Sequence, residues 1–189
     1  MIIRRANPDD AKRINDLLYQ VAKIHADGRP DIFKTATKKY SDDELIEIIK
    51  NDNSPIFVAV DENDKPVGYC YGTADYDFYQ NNFDKYIRKV ESLKDRAFLK
   101  DALVEMYDHA IYKNDYPAHL HIDILPDYQS KGIGSKLISA FCNNVKEQNI
   151  DGVMLIVGSE NEGARRFYER NGFTLLQDIK TGAAYGKKL

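Results

Sequence analysis

Apolar residues along this 189-residue chain switch between helical and strand periods, and each switch marks an element. Ile2 to Arg5 reads as a short strand. Asn7-Pro8-Asp9-Asp10 then joins a capping residue, a proline suited to a first helical turn and two early acids. Ile14, Leu17, Leu18, Val21 and Ile24 recur at spacings of three and four, predicting one buried stripe of a helix that ends near Gly28. Ser41-Asp42-Asp43-Glu44 has the form of a capping box and opens a second helix carrying Leu45, Ile48 and Ile49. Ile56 to Val60 and Val67 to Gly72 are β-rich runs on either side of a polar turn, which predicts an antiparallel hairpin.

A long charged stretch from Asp75 to Asn114 carries apolar residues at Ile87, Val90, Leu93, Phe98, Leu103, Met106 and Ile111 and reads as a helical insert between two strands. Beyond it the pattern predicts a strand over Ala118 to Leu125, a helix over Gly134 to Asn149, a strand over Val153 to Val157 and a helix over Glu162 to Arg170. Phe173 to Gln177 and Ala183 to Lys187 are the last strands. No repeat, low-complexity tract or linker divides the chain, so residues 1–189 are expected to form one domain.

Composition narrows the function classes. Hydrophobic residues make up 43% of the chain, enough for a continuous core without metal or disulfide staples. The 27 basic and 30 acidic side chains nearly cancel to a net charge of -3, which gives no field suited to nucleic acid or an anionic membrane. Cys70 and Cys142 are far apart and outside any CxxC pattern, as expected of reduced structural thiols. The N-terminus turns polar after three residues and no run approaches the roughly 20 apolar residues of a membrane span, so a cytoplasmic location is expected.

The most informative run is Leu120-His121-Ile122-Asp123-Ile124-Leu125-Pro126-Asp127-Tyr128-Gln129-Ser130-Lys131-Gly132-Ile133-Gly134-Ser135-Lys136-Leu137. It joins a strand to a helix through a glycine-bearing turn, so successive N–H groups from Gln129 to Ser135 can face a phosphate, helped by the helix dipole. Lys131 and Lys136 would add positive charge. A Walker loop requires Gly-Lys-Ser/Thr, whereas Gly134-Ser135-Lys136 has another order. A dinucleotide fingerprint requires a third glycine where Leu137 stands.

The remaining pattern, Gln-x-x-Gly-x-Gly after Ile-Leu-Pro-Asp-Tyr, resembles the central motif of the GNAT superfamily of acetyl-CoA-dependent N-acetyltransferases. The resemblance implies a mixed α/β (α+β) fold in which helices flank a largely antiparallel, twisted sheet, with acetyl-CoA as cosubstrate. It assigns the coenzyme A pyrophosphate to Gln129, Ser130, Lys131, Gly132, Ile133, Gly134 and Ser135. The pantetheine arm and thioester fall to backbone groups of Ile122, Ile124 and Leu125. A second similar segment, Asn161 to Phe173, implies a pantetheine contact at Asn161 and a tyrosine, Tyr168, beside the cofactor sulfur. A homodimer is a further implication of the family likeness. Tyr116 to Asp123, with the preceding insert, looks most like the acetyltransferase-like domain associated with bacterial O-GlcNAc hydrolases.

Acetyl transfer to a small-molecule amine or a peptide needs a neutral nucleophile and a proton for the departing thiolate. For a lysine-like amine with pKa near ~10.4, neutrality at pH 7 costs roughly 4.6 kcal/mol, so a base or water relay is expected. Strand alternation places His119, His121 and Asp123 on one face, with His121 and Asp123 as candidate base and partner and His119 equally suited to a structural role. The same three residues lack further Cys or His neighbours, and no metal is expected. Tyr69, Tyr71, Tyr76, Phe78, Tyr79 and Tyr86 either line an acceptor pocket or pack the insert onto the sheet. His25, Arg29 and Asp31 are weaker acceptor-side candidates.

Overall fold

The structure is a computed structural model and describes residues 1–25, 41–82, 103, 106–158, 161–179 and 182–189, with backbone only at 22–25. Among the described residues seven strands form one sheet: β1 (Ile2–Arg5), β2 (Ile56–Val60), β3 (Pro66–Thr73), β4 (Ala118–Ile124), β5 (Gly152–Val157), β6 (Thr174–Ile179) and β7 (Gly182–Lys188). Their spatial order is β1-β2-β3-β4-β5-β7-β6, and every neighbouring pair is antiparallel except β4 with β5. A parallel pair needs a long crossover. Helix α3 (Ile133–Glu147) supplies it, with α1 (Ala11–His25) and α2 (Asp42–Ile49) earlier in the chain and α4 (Glu162–Arg170) later.

Strand β2, Ile-Phe-Val-Ala-Val, is buried along its whole length because helices cover both faces of the sheet. Phe57 and Ala59 face a core with Val67, Leu120, Val153 and Leu155, closed by Leu137, Ile138, Phe141 and Val145 of α3. Val58 and Val60 face a second core with Tyr69, closed by Ile14, Leu17 and Val21 of α1 and Leu45 and Ile49 of α2. Burying each large aliphatic or aromatic side chain contributes about 1.5–3 kcal/mol, so the two layers clamp the sheet centre.

The local start signals act as their chemistry requires. Ser41 Oγ accepts from the Glu44 N–H at 3.2 Å while Glu44 accepts from the Ser41 N–H at 2.7 Å. Asn7 caps a short 3-10 turn, Pro8–Asp10, and α1 begins only at Ala11. Asp10 is not a solvated first-turn acid. It is 2% exposed and receives both guanidinium nitrogens of Arg4, at 2.6 and 2.8 Å.

Residues 76–82 and 106–112, inside the expected insert, are helical. Tyr76 and Met106 form a small core there, with Tyr79, Leu103 and Ala110 packed against it. Ile87, Val90, Leu93 and Phe98 lie outside the described residues. Among the described residues no helix is long and apolar enough to cross a membrane.

Candidate functional site

Strand β4 separates two environments. Leu120, Ile122 and Ile124 pack with the core under α3, while His119, His121 and Asp123 point to the opposite face. β3 pairs with β4 from Thr73–His119 through Gly68–Ile124, but β5 pairs with it only at Ala118–Val153 and His119–Met154. Beyond that point β5 continues along β7 alone. Among the described residues, the stretch from Leu120 to Ile124 therefore has β3 on one side and no ladder partner on the other. The sheet is split open beside the central motif, and the β4 edge turned toward β5 presents backbone polar groups there.

The turn after β4 is held by its own residues. Gln129 Nε2 donates to the Ile124 carbonyl at 2.9 Å, and the Gln129 N–H donates to Pro126 at 3.1 Å. Both groups are engaged, so Gln129 braces the loop. From Ser130 to Ser135 no backbone N–H has a backbone acceptor among the described residues, and the first helical bond of α3 runs from Lys136 to Gly132 at 3.3 Å. Ser130 and Gly132 adopt left-handed conformations, with φ of 59° and 73°. A Cβ at Gly132 would meet nothing within 4 Å. Lys131 turns its ammonium back onto the Asp127 carbonyl, 2.7 Å away, instead of extending over the turn.

Gly134 has a different task. A Cβ there would stand 2.7 Å from the Phe167 ring and 3.3 Å from Ile124, so its bareness lets α4 seat against the start of α3. Asn161 caps α4, its side-chain oxygen accepting from the Ala164 N–H at 3.0 Å. This leaves the carboxamide nitrogen as the donor for any pantetheine contact. Tyr185, fully buried on β7, donates to Glu169 at 2.9 Å and accepts from Arg165 at 3.3 Å, which ties α4 to the sheet.

Tyr168 is set by this anchoring. Its half-buried ring packs against Phe173, with centroids 5.7 Å apart, and Tyr185, at 6.4 Å. Burial first, then nearby Cys70 and Asp123, push its phenol well above the ordinary tyrosine range, so it remains a proton donor at neutral pH. The cysteines are free and buried; desolvation pushes Cys142 up to about 11 and Cys70 well above its usual range. Neither is suited to act as a thiolate nucleophile.

On the other face Asp123 Oδ2 accepts from the Tyr69 hydroxyl at 2.6 Å and lies 2.9 Å from His121 Nε2. The His121 ring faces Tyr71 at 5.4 Å and Tyr69 at 6.3 Å between centroids. His121 and Asp123 are thus brought together, and Tyr69, read in the sequence only as one of several aromatics, joins them. Its signal was the hairpin alternation of β3, which becomes informative only with the β3/β4 register. His119 belongs to a different group: it stacks on His109, with centroids 4.6 Å apart, and takes the edge of Tyr79, also at 4.6 Å. The aromatics divide accordingly, Tyr69 and Tyr71 beside His121 and Tyr76 and Tyr79 in the insert. Tyr86, Arg29, Asp31 and the His25 side chain lie outside the described residues.

The chain resembles the crystal structure of SsHAT at 27% identity and a TM-score of 0.78, covering 99% of this chain and 97% of that one. The PaiA N-acetyltransferase from Thermoplasma acidophilum, solved in complex with coenzyme A, shares the fold at a TM-score of 0.69 and 16% identity, covering 100% and 98%. An uncharacterised N-acetyltransferase of Methanocaldococcus jannaschii is 39% identical over 64 residues, a stretch spanning 33% of this chain and 28% of that relative. The model of the acetyltransferase (GNAT) family matches residues 18–173, which include the split strand, the turn and α4, and the chain belongs to that family.

Proposed function

We propose that the protein is an acetyl-CoA-dependent N-acetyltransferase that acetylates a primary amine, on a small molecule or a peptide, by direct attack on the thioester. The observation that carries this reading is the split between β4 and β5, which opens beside a turn whose amides from Ser130 to Ser135 lack backbone acceptors. The bare Cβ direction at Gly132 and the unpaired edge of β4 suit a pyrophosphate and an extended amide-bearing arm. Residues Ser130 to Ser135 would hold the former, and the backbone of Ile122 and Ile124, with Asn161, the latter; the Leu125 N–H donates instead to the Val67 carbonyl at 3.0 Å.

When bound, acetyl-CoA supplies the acetyl thioester that the amine attacks. His121 takes the proton released from the amine nitrogen, and Asp123 stabilises the resulting imidazolium. Tyr168 would hydrogen-bond the departing sulfur and give up its proton only as negative charge builds there, because its own pKa is raised above that of a thiol, and would regain a proton from water to close the cycle. The subgroup is proposed to be the one associated with O-GlcNAc hydrolases, on the likeness of Tyr116 to Asp123.

Titration calorimetry with acetyl-CoA, followed by thiol release across a panel of amines and lysine peptides, tests the proposal. Acceptor-dependent release supports it. Binding with no release across the panel points instead to a noncatalytic acetyl-CoA-binding module, and absence of binding refutes the cofactor assignment.

A further inference from the structure

Oδ2 of Asp123 is the meeting point of two side chains that arrive from different strands. Tyr69 of β3 donates its hydroxyl to this oxygen at 2.6 Å, and His121 Nε2 stands 2.9 Å from it. A carboxylate has no proton to give, so the hydrogen between His121 and Asp123 must come from Nε2. Tyr69 does not compete for a proton. It is 2% exposed, and burial first, then the Asp123 charge, holds its phenol far above its usual range.

We infer that Tyr69 is a positioning residue which, through Asp123, fixes His121 as the Nε2–H tautomer and so places the basic lone pair on Nδ1. The order of support runs outward from the core. The Tyr69 ring is packed with Val58, Val60 and Leu17; its hydroxyl orients Asp123, whose side chain is 13% exposed; Asp123 orients His121, whose side chain is 54% exposed. The rings of Tyr69 and Tyr71 lie side by side on one side of the imidazole, 5.6 Å apart between centroids, and back it from β3. Among the described residues, the titratable groups beside the ring include Tyr69 and Tyr71 on β3 and Asp123 on its own strand, with Tyr168 near enough to Asp123 to sense its charge.

The catalytic consequence rests on His121 being the base of the proposed reaction. The N–H bond of the amine breaks as Nδ1–H forms, the imidazolium is held through Nε2–H by Asp123, and its extra proton leaves to water from a side chain that is 54% exposed. Tyr69 keeps its own proton throughout. By donating to Oδ2 it also disperses part of the carboxylate charge, which tempers the basicity of His121.

The test uses the cofactor-free protein with 15N-labelled histidine. Long-range 1H–15N correlation should show neutral His121 with Nε2 protonated and Nδ1 bare. Tyr69→Phe should raise the His121 titration midpoint by about 0.5–1 pH unit, a roughly 3- to 10-fold gain in proton affinity, while coenzyme A affinity stays within about twofold. The acid limb of kcat/KM should move upward with it. Asp123→Asn should lower the same midpoint, which keeps the test decisive if the Phe variant folds poorly. An Nδ1–H tautomer in the unsubstituted protein, or a midpoint indifferent to both substitutions, overturns the inference. The expected tautomer and shifts in a protein that acetylates no amine would instead sink the enzymatic reading and leave this coupling standing.

Discussion

Gly132→Ala isolates the contribution of the turn. Gly132 sits at φ 73° with open space where a Cβ would go, so the added methyl group meets no neighbour and the perturbation is conformational. An L-residue in the left-handed region costs about 1–2 kcal/mol, offset by about 0.4–1 kcal/mol from the stiffer unfolded chain. Urea denaturation should therefore show a net loss of roughly 1 kcal/mol. If the turn relaxes to escape the strain, re-forming it around coenzyme A costs at most that strain, so affinity should fall by about 5- to 30-fold. Calorimetry on the same preparation measures this directly. A loss beyond about 100-fold would mean that the methyl group itself blocks the phosphate. Unchanged affinity both here and in a variant with a bulky side chain at Gly132 would refute the assignment of the amides from Ser130 to Ser135 to the pyrophosphate.

Gly134→Ala should behave differently, because its methyl group would meet Phe167 at 2.7 Å; we expect about 1–3 kcal/mol of destabilisation by overpacking, and a stability equal to the parent protein would contradict the packing account. Tyr168→Phe should lower kcat by about 100-fold with coenzyme A affinity changed less than about threefold, and undiminished turnover would remove Tyr168 from the chemistry. Because its phenol is held above the ordinary tyrosine range, ionisation of Tyr168 should produce no loss of activity below about pH 10. Asp10→Asn should cost about 3 kcal/mol by leaving the Arg4 guanidinium without its buried partner. Burial would raise the Asp10 pKa, but hydrogen bonds from Arg4 and the Asn7 N–H outweigh it and hold the carboxyl below its usual range. Its stabilisation is therefore present above about pH 4 and lost as pH falls through the depressed native value, so the gap between the two proteins in urea should close in acid.

Much of this molecule was legible without coordinates wherever the deciding interaction is short in sequence. The caps at Asn7 and Ser41 involve partners no more than three residues away, and the stripe of Ile14, Leu17 and Val21 follows from helical geometry. The alternation of Leu120, Ile122 and Ile124 against His121 and Asp123 follows from the pleat, and the turn around Gly132 follows from glycine's access to positive φ. These predictions needed only bond geometry and local hydrogen-bond reach. Other roles depended on which strand lies beside which and in what register. Tyr69 meets Asp123 across 54 positions, and His119 leaves its strand neighbour His121 to stack on His109 in the insert. Asp10 becomes a buried partner where the chain between β1 and α1 folds back, so that Arg4, six residues earlier, and the Asn7 N–H both reach it. The parting of β5 from β4 after His119 has the same origin: residue pattern specifies which face of a strand is apolar, whereas where two strands separate is decided by the helices and strands packed on either side.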